Sequence, residues 1–118
     1  MTYNKNNPFY KIINENAPAE KIYENDSAIV INNLYPKTKI HLLAIPKGSY
    51  TSFTEFGLQA TNKEKLDFIN AVNEAIKIYK LDETGGYRLA ANTGDNAGQS
   101  VPHFHLHIVG GEKLINID

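Results

Sequence analysis

Three of the four histidines in this 118-residue chain fall in one stretch, Ser100–Gly111, SVPHFHLHIVGG. His103, His105 and His107 alternate with Phe104, Leu106 and Ile108. A spacing of two is the period of a β-strand, whose successive side chains point to opposite faces. The stretch is therefore expected to put three imidazoles on one face and three large apolar residues on the other. A bank of neutral imidazoles supports two chemistries. One is metal binding, since two histidines at a spacing of two can share a zinc ion. Three of them along one strand cover roughly 13 Å at ~3.3 Å per residue. Zn–N bonds of ~2.0–2.1 Å need all ligands around one point, so a bulge or a further ligand such as His41 would have to close the gap. The other is chemistry at phosphorus: one imidazole attacks, its neighbours orient it and handle protons, and loop donors hold the oxygens. Those donors have a place in the loop just upstream, where Gly94, Gly98, Gln99 and Ser100 let backbone N–H groups and a hydroxyl approach an anion. His105, the middle residue, has an imidazole on either side. A backbone carbonyl accepting its Nδ1–H would leave the Nε2 lone pair free for attack. Crowded imidazoles resist joint protonation, which favours the neutral form that attack requires.

The elements that must position these residues are legible in outline. FYKIIN, Phe9–Asn14, reads as a short helix of one or two turns. KIYEN and SAIVIN are rich in β-branched and aromatic residues and are divided by Asn25-Asp26, a turn signal, so they read as a hairpin. KIHLLAIP, Lys39–Pro46, reads as a third strand, and its nearly unbroken apolar run predicts burial on both faces. His41 sits in it, and by itself reads as a packed strand residue. Thr61-Asn62-Lys63-Glu64 matches a capping box and opens the clearest helix. Its apolar stripe is expected along Leu66, Ile69, Val72, Ile76 and Tyr79, with Lys77 and Lys80 near the C-terminal end of the dipole. Gly85-Gly86 separates it from a strand at Tyr87–Asn92, and the loop TGDNAG leads to the histidine strand. Pro102 cannot donate to a ladder and belongs at that strand's start or on an edge. The sum is an α+β domain with an antiparallel sheet, spanning residues 1–118 as one unit.

Composition narrows the function classes. The chain is 42% hydrophobic and 21% charged, ordinary for a globular protein that can build a core. Twelve basic and 13 acidic side chains leave a formal charge of −1, with no basic run of the kind that marks nucleic-acid binding. No apolar run approaches the roughly 18 residues of a membrane span. MTYNKNNPFY lacks the apolar core of a signal peptide. There is no cysteine, which excludes disulfides, thiolate metal sites and a cysteine nucleophile. A cytoplasmic location is the expectation.

GYRLAANTGDNAGQSVPHFHLHIVGG, Gly86–Gly111, closely resembles the signature of the histidine triad (HIT) nucleotide-binding proteins, His-x-His-x-His-x-x with x apolar. GQSV immediately before the triad resembles the Hint branch in particular, as do NPFYKIINENAPAEKIYEND and NNLYPKTKIHLLAIPK upstream. The resemblance covers nearly the whole chain. It implies a HIT-like fold with an antiparallel sheet of about five strands, one long helix and a short N-terminal helix, and a homodimer whose sheets join. It implies an AMP- or GMP-type purine nucleotide as substrate, with no metal or other cofactor. The implied reaction is hydrolysis or transfer at the α-phosphate of nucleoside phosphoramidates or adenylylated amines. Carried over by position, His105 is the nucleophile and becomes a nucleotidyl-histidine. His107 and Ser100 contact the phosphate, and His103 and His41 belong to the surrounding imidazole network. Asn92, Gly98 and Gln99 join Ser100 around the phosphate and leaving group. Phe9, Ile12, Ile31 and Leu34 line the base and sugar pocket.

Three positions depart from the family pattern. Asn33 stands where an aspartate usually meets the ribose hydroxyls; Gly48 and Ser49 follow the IPK strand end where many members carry a histidine; and the chain ends EKLINID instead of a tail rich in Trp and Pro. These bear on substrate preference more than on the chemistry. Two rival functions carry forward: hydrolysis of dinucleoside polyphosphates, as in other HIT branches, and a nucleotide-binding interaction module whose hydrolysis is incidental.

Overall fold

The computed structural model of the protein describes residues 2–117, so the two ends of the expected 1–118 domain lie outside the described residues. The element order is α1 Pro8–Asn14, β1 Lys21–Glu24, β2 Ala28–Asn32, β3 Ile40–Pro46, α2 Phe53–Gln59, α3 Asn62–Ile78, β4 Tyr87–Ala90, a 3-10 turn at Asp95–Ala97, and β5 Leu106–Gly110. The strands form a five-stranded sheet in the order β1-β2-β3-β5-β4, with every neighbouring pair antiparallel. The last strand therefore lies inside the sheet, between β3 and β4.

Period-two alternation assigns the two faces. Ala28 and Val30 of β2, Leu42 and Ala44 of β3, and Ile108 of β5 pack with Phe68, Val72 and Ile76 of α3 in the larger core. Ile29, Ile31, Leu43 and Ile45 point the other way and meet Phe9 of α1. This explains the unbroken apolar run of β3: both of its faces are covered. The β1–β2 turn is held by Asn25, whose Oδ1 accepts from the Ser27 and Ala28 amides at 3.1 and 3.0 Å.

The capping box of α3 is present in full, with Thr61 accepting from the Glu64 amide and Glu64 accepting from the Thr61 amide. Its buried stripe differs from the expected one. Phe68, Ala71, Val72, Ala75 and Ile76 face the sheet, whereas Leu66 and Ile69 remain 62% and 55% exposed. Phe68 is the bulkiest residue of the helix, and turning it inward onto Phe56 and Phe104, with ring centroids at 5.2 and 5.3 Å, rotates Leu66 and Ile69 outward. A second difference is α2, absent from the sequence reading. Ser52 caps it by accepting from the Glu55 amide at 3.2 Å, and the Glu55 carboxylate accepts from the Thr51 amide at 2.9 Å. That is a near relative of the same S-x-x-E box, lying in a segment too polar and too short to show helical periodicity.

The histidine stretch is the third difference. β5 begins only at Leu106, so His103 and His105 precede the ladder. The Phe104 amide donates to the Tyr50 carbonyl at 2.7 Å instead of to a strand, and Pro102 has no amide to offer. The alternation nevertheless holds: Phe104 and Ile108 are in the larger core, with Leu106 packed against it.

Candidate active site

Beneath α1, on the face of the sheet opposite α3, lies a cavity of about 440 Å³. Its apolar lining includes Phe9, Ile12, Ile31 and Leu43. Its polar lining includes His41, His105, His107, Ser100 and Asn33. Leu34 also lines it, 79% exposed at the mouth beside Tyr35. The structure thus gathers nine of the expected site residues around one space: Phe9, Ile12, Ile31, Asn33, Leu34, His41, Ser100, His105 and His107. It does not bring Asn92, Gly98, Gln99 or His103 to that lining. Asn92 and Gly98 are exposed, and Gly98 serves the backbone, at φ 72° at the end of the 3-10 turn. The Gln99 side chain is committed to its own loop, with Nε2 donating to the carbonyls of Thr51 and Val101 and Oε1 accepting from the Gly94 amide.

His41 and His107 come together through sheet register. His107 stands opposite Leu43, which places His41 two residues along the same face, a diagonal neighbour within reach of a ring. The bond between His41 Nε2 and His107 Nδ1 is 2.8 Å. Its polarity follows from a loop amide: the Lys37 N–H donates to His41 Nδ1 at 2.9 Å. A neutral His41 therefore carries its proton on Nε2 and donates it to His107 Nδ1, which leaves the proton of a neutral His107 on Nε2.

His105 is set the opposite way. Its Nδ1 lies 2.7 Å from the His103 carbonyl, which can only accept, so the proton is on Nδ1 and Nε2 keeps a free lone pair. Phe9 packs its ring against His105 edge-on, with centroids 4.9 Å apart. The rings of His105 and His107 are themselves T-shaped at 5.1 Å. His103 is wholly buried, with Nε2 donating to the Pro46 carbonyl at 2.8 Å. One side of the site thus presents a lone pair and the other an N–H donor.

The surroundings push all four rings towards the neutral form. Burial lowers the pKa of His105, against the raising effect of its bond to the His103 carbonyl. Burial, and then the neighbouring His105 and His41, push His107 down to about 4. His103 is pushed to about 4 by burial, with the Pro46 bond opposing and His105 adding. His41 is lowered by burial and by the Lys37 ammonium. A neutral imidazole is the nucleophilic form, so the environment favours attack. Among the described residues no three His, Cys, Asp or Glu side chains converge into a group able to hold a metal ion. Nor is any helix among them long and apolar enough to cross a membrane.

Asn33 is more constrained than its position at the cavity suggests. Its Oδ1 accepts from the Tyr35 amide at 3.0 Å, which turns its Nδ2 to within 3.3 Å of His41 Nε2. The sequence reading overlooked two features of the site. Leu43 was recoverable, since it shares the period-two face of His41. The Lys37 amide was not, because a backbone donor in a loop carries no signature of residue type.

A family model described as scavenger mRNA decapping enzyme C-term binding matches residues 6–116. An uncharacterized HIT-like protein of Rickettsia prowazekii is 40% identical over 115 residues, covering 98% of this chain and 95% of that protein. Among solved structures, a histidine triad protein from Clostridium difficile superposes with a TM-score of 0.83 at 32% identity, covering 99% of this chain and all of the other. A HIT family hydrolase from Clostridium thermocellum does so with a TM-score of 0.85, also at 32% identity, covering 96% of each.

Proposed function

This chain belongs to the histidine triad family, and from that premise we propose that it hydrolyses nucleoside phosphoramidates or adenylylated amines at the α-phosphate through a nucleotidyl intermediate on His105. The observation that carries the reading is the pair of hydrogen-bond patterns on His105 and His107 in the cavity, which assign the two rings opposite tautomers. A lone pair on His105 Nε2 and a proton on His107 Nε2 are what displacement of an amine from phosphorus requires.

The steps follow from these atoms. The purine lies against Phe9, Ile12 and Ile31, the ribose meets Asn33, and the α-phosphate lies among His105, His107 and Ser100, all of which line the cavity. His105 Nε2 attacks phosphorus and forms a P–N bond as the bond to the leaving nitrogen breaks. The His107 Nε2–H donates a hydrogen bond to the leaving nitrogen, which takes one proton from solvent and departs as a neutral amine. Water then attacks phosphorus and the P–Nε2 bond breaks. The water oxygen stays on the nucleoside monophosphate, one proton returns to solvent, and His105 is neutral again. The His103 carbonyl holds the Nδ1 proton throughout and supports the positive charge on the nucleotidylated ring.

A homodimer is part of the same reading. β4 is an edge strand with Tyr87 and Leu89 exposed on it, and an unpaired edge is a liability that a second copy would remove. The functional test is steady-state release of amine from adenosine 5′-phosphoramidate, run beside cleavage of a dinucleoside polyphosphate and simple binding of AMP. The reading expects the first to dominate. Preference for the polyphosphate, or binding with no turnover of either compound, would replace it with one of its rivals.

A further inference from the structure

His105 owes its tautomer to the carbonyl of His103, yet that carbonyl lies outside the sheet. β5 starts at Leu106, and the register with β3 begins at the Leu106–Ala44 pair. No ladder therefore fixes the His103–Phe104 peptide, which is held by one backbone bond, from the Phe104 N–H to the Tyr50 carbonyl at 2.7 Å. The His103 side chain supplies the second hold. Its Nε2 donates to the carbonyl of Pro46 at the end of β3, 2.8 Å away. A neutral ring with its proton on Nε2 has a bare Nδ1, which in a wholly buried residue needs a donor. That donor is Tyr3, whose hydroxyl lies 2.6 Å from His103 Nδ1, from a position 100 residues away in sequence.

Tyr3 is itself aimed. Asn7, the N-cap of α1, is buried and sends Nδ2 to the Tyr3 hydroxyl oxygen at 3.2 Å and to the Asn4 carbonyl at 2.6 Å. With Asn7 donating to its oxygen, the Tyr3 hydroxyl is set to donate its own proton onward. The rings of Tyr3 and His103 meet edge-on at 5.5 Å, and Phe9 of the same N-terminal segment touches both His103 and His105. The bonds form one directional series, from the Asn7 amide to Tyr3, from Tyr3 to His103 Nδ1, and from His103 Nε2 to Pro46.

We propose that Tyr3 is a positioning residue, which fixes the ring of His103 and so, together with the Phe104–Tyr50 bond, holds the His103 carbonyl where it keeps the proton of His105 on Nδ1. The inference rests on the reading of His105 as nucleophile only for its effect on rate; the effect on the ring is independent of it. Without the hydroxyl, His103 Nδ1 loses its donor, the ring is free to reorient, and the carbonyl keeps only the hold of the Phe104–Tyr50 bond. His105 then samples the tautomer with its proton on Nε2, which has no lone pair to offer there.

The test is Tyr3→Phe, which keeps the aromatic contacts and removes one oxygen. Long-range ¹H–¹⁵N spectra of histidine-labelled protein read which nitrogen of each ring is protonated. The wild-type protein is expected to show His103 protonated on Nε2 and His105 on Nδ1, and the variant a mixture at His105. In the phosphoramidate assay kcat should fall about tenfold, about 1.36 kcal/mol on the barrier, with KM within about twofold. Protonation of wild-type His103 on Nδ1 overturns the proposal, as does an unchanged His105 pattern in the variant. A loss of rate without that ring change means Tyr3 matters only for packing, which also overturns it. Failure of the functional reading is seen separately, as absence of turnover in the wild-type protein.

Discussion

Asn33→Asp tests how the cavity holds a sugar. In the proposed reading Asn33 faces the ribose hydroxyls. Its Oδ1 already accepts from the Tyr35 amide, so it offers a hydroxyl only the remaining lone pair, and its Nδ2 can only donate. An aspartate keeps the Tyr35 bond on one oxygen and places the second where Nδ2 now stands. Both hydroxyls then donate to a charged acceptor. Hydrogen bonds to charged groups contribute about 1.5–3 kcal/mol and neutral ones about 0.5–1.5. The gain is about 1 kcal/mol, roughly fivefold in affinity. A second effect comes from the 3.3 Å approach to His41 Nε2. A carboxylate there attracts the His41 proton and raises a pKa that burial and Lys37 hold low. Calorimetry with AMP and 2′-deoxy-AMP should therefore show tighter AMP binding by about that factor and a wider gap between the two ligands. Proton titration of His41 should move upward in the same variant. If the variant binds both ligands no better, Asn33 does not recognise the ribose and the sugar lies elsewhere in the cavity.

Four further outcomes follow. His105→Asn should remove turnover and retain AMP binding in calorimetry; because His105 is only 9% exposed, the Asn variant preserves packing better than Ala and is the cleaner choice. Stability should fall as the pH drops from about 6.5 to about 4, because the unfolded chain takes up protons there that buried His103 refuses. The loss at His103 alone is on the order of 3 kcal/mol, measurable by urea unfolding at the two ends of the window. The acid limb of the activity profile, read from kcat/KM against pH, should lie below the free-imidazole value of about 6.5, since His105 is itself lowered. Sedimentation at micromolar concentration should show a dimer, and Leu89→Lys at the edge of β4 should shift it towards monomer; a wild-type monomer contradicts the joined-sheet arrangement.

Much of this was legible in the sequence because the decisive signals are local. The capping box at Thr61 and Glu64 names a helix start with four residues, and Asn25 names a turn through its bonds to two neighbours, Ser27 and Ala28. The alternation of His103–Ile108 names a strand-like segment and its two faces. What the sequence did not convey is long-range. The face of α3 was misjudged because Leu66 and Ile69 are as apolar as core residues, and only the aromatic cluster of Phe56, Phe68 and Phe104 decides the rotation. The roles of the four imidazoles depend on Lys37, Pro46 and Tyr3, partners that carry no motif and that meet the histidines only after the sheet forms. Gln99 looked like a phosphate ligand by position, yet its side chain is spent on holding the loop.

The central claim is that His105 forms a bond to phosphorus. The most direct measurement is rapid-quench mass spectrometry of the protein mixed with adenosine 5′-phosphoramidate, followed by peptide mapping under neutral conditions that preserve P–N bonds. The account expects an adenylyl adduct on the peptide containing His105, formed and lost at rates consistent with turnover and absent from His105→Asn. Turnover without any adduct, or an adduct on His103 or His107, would contradict it.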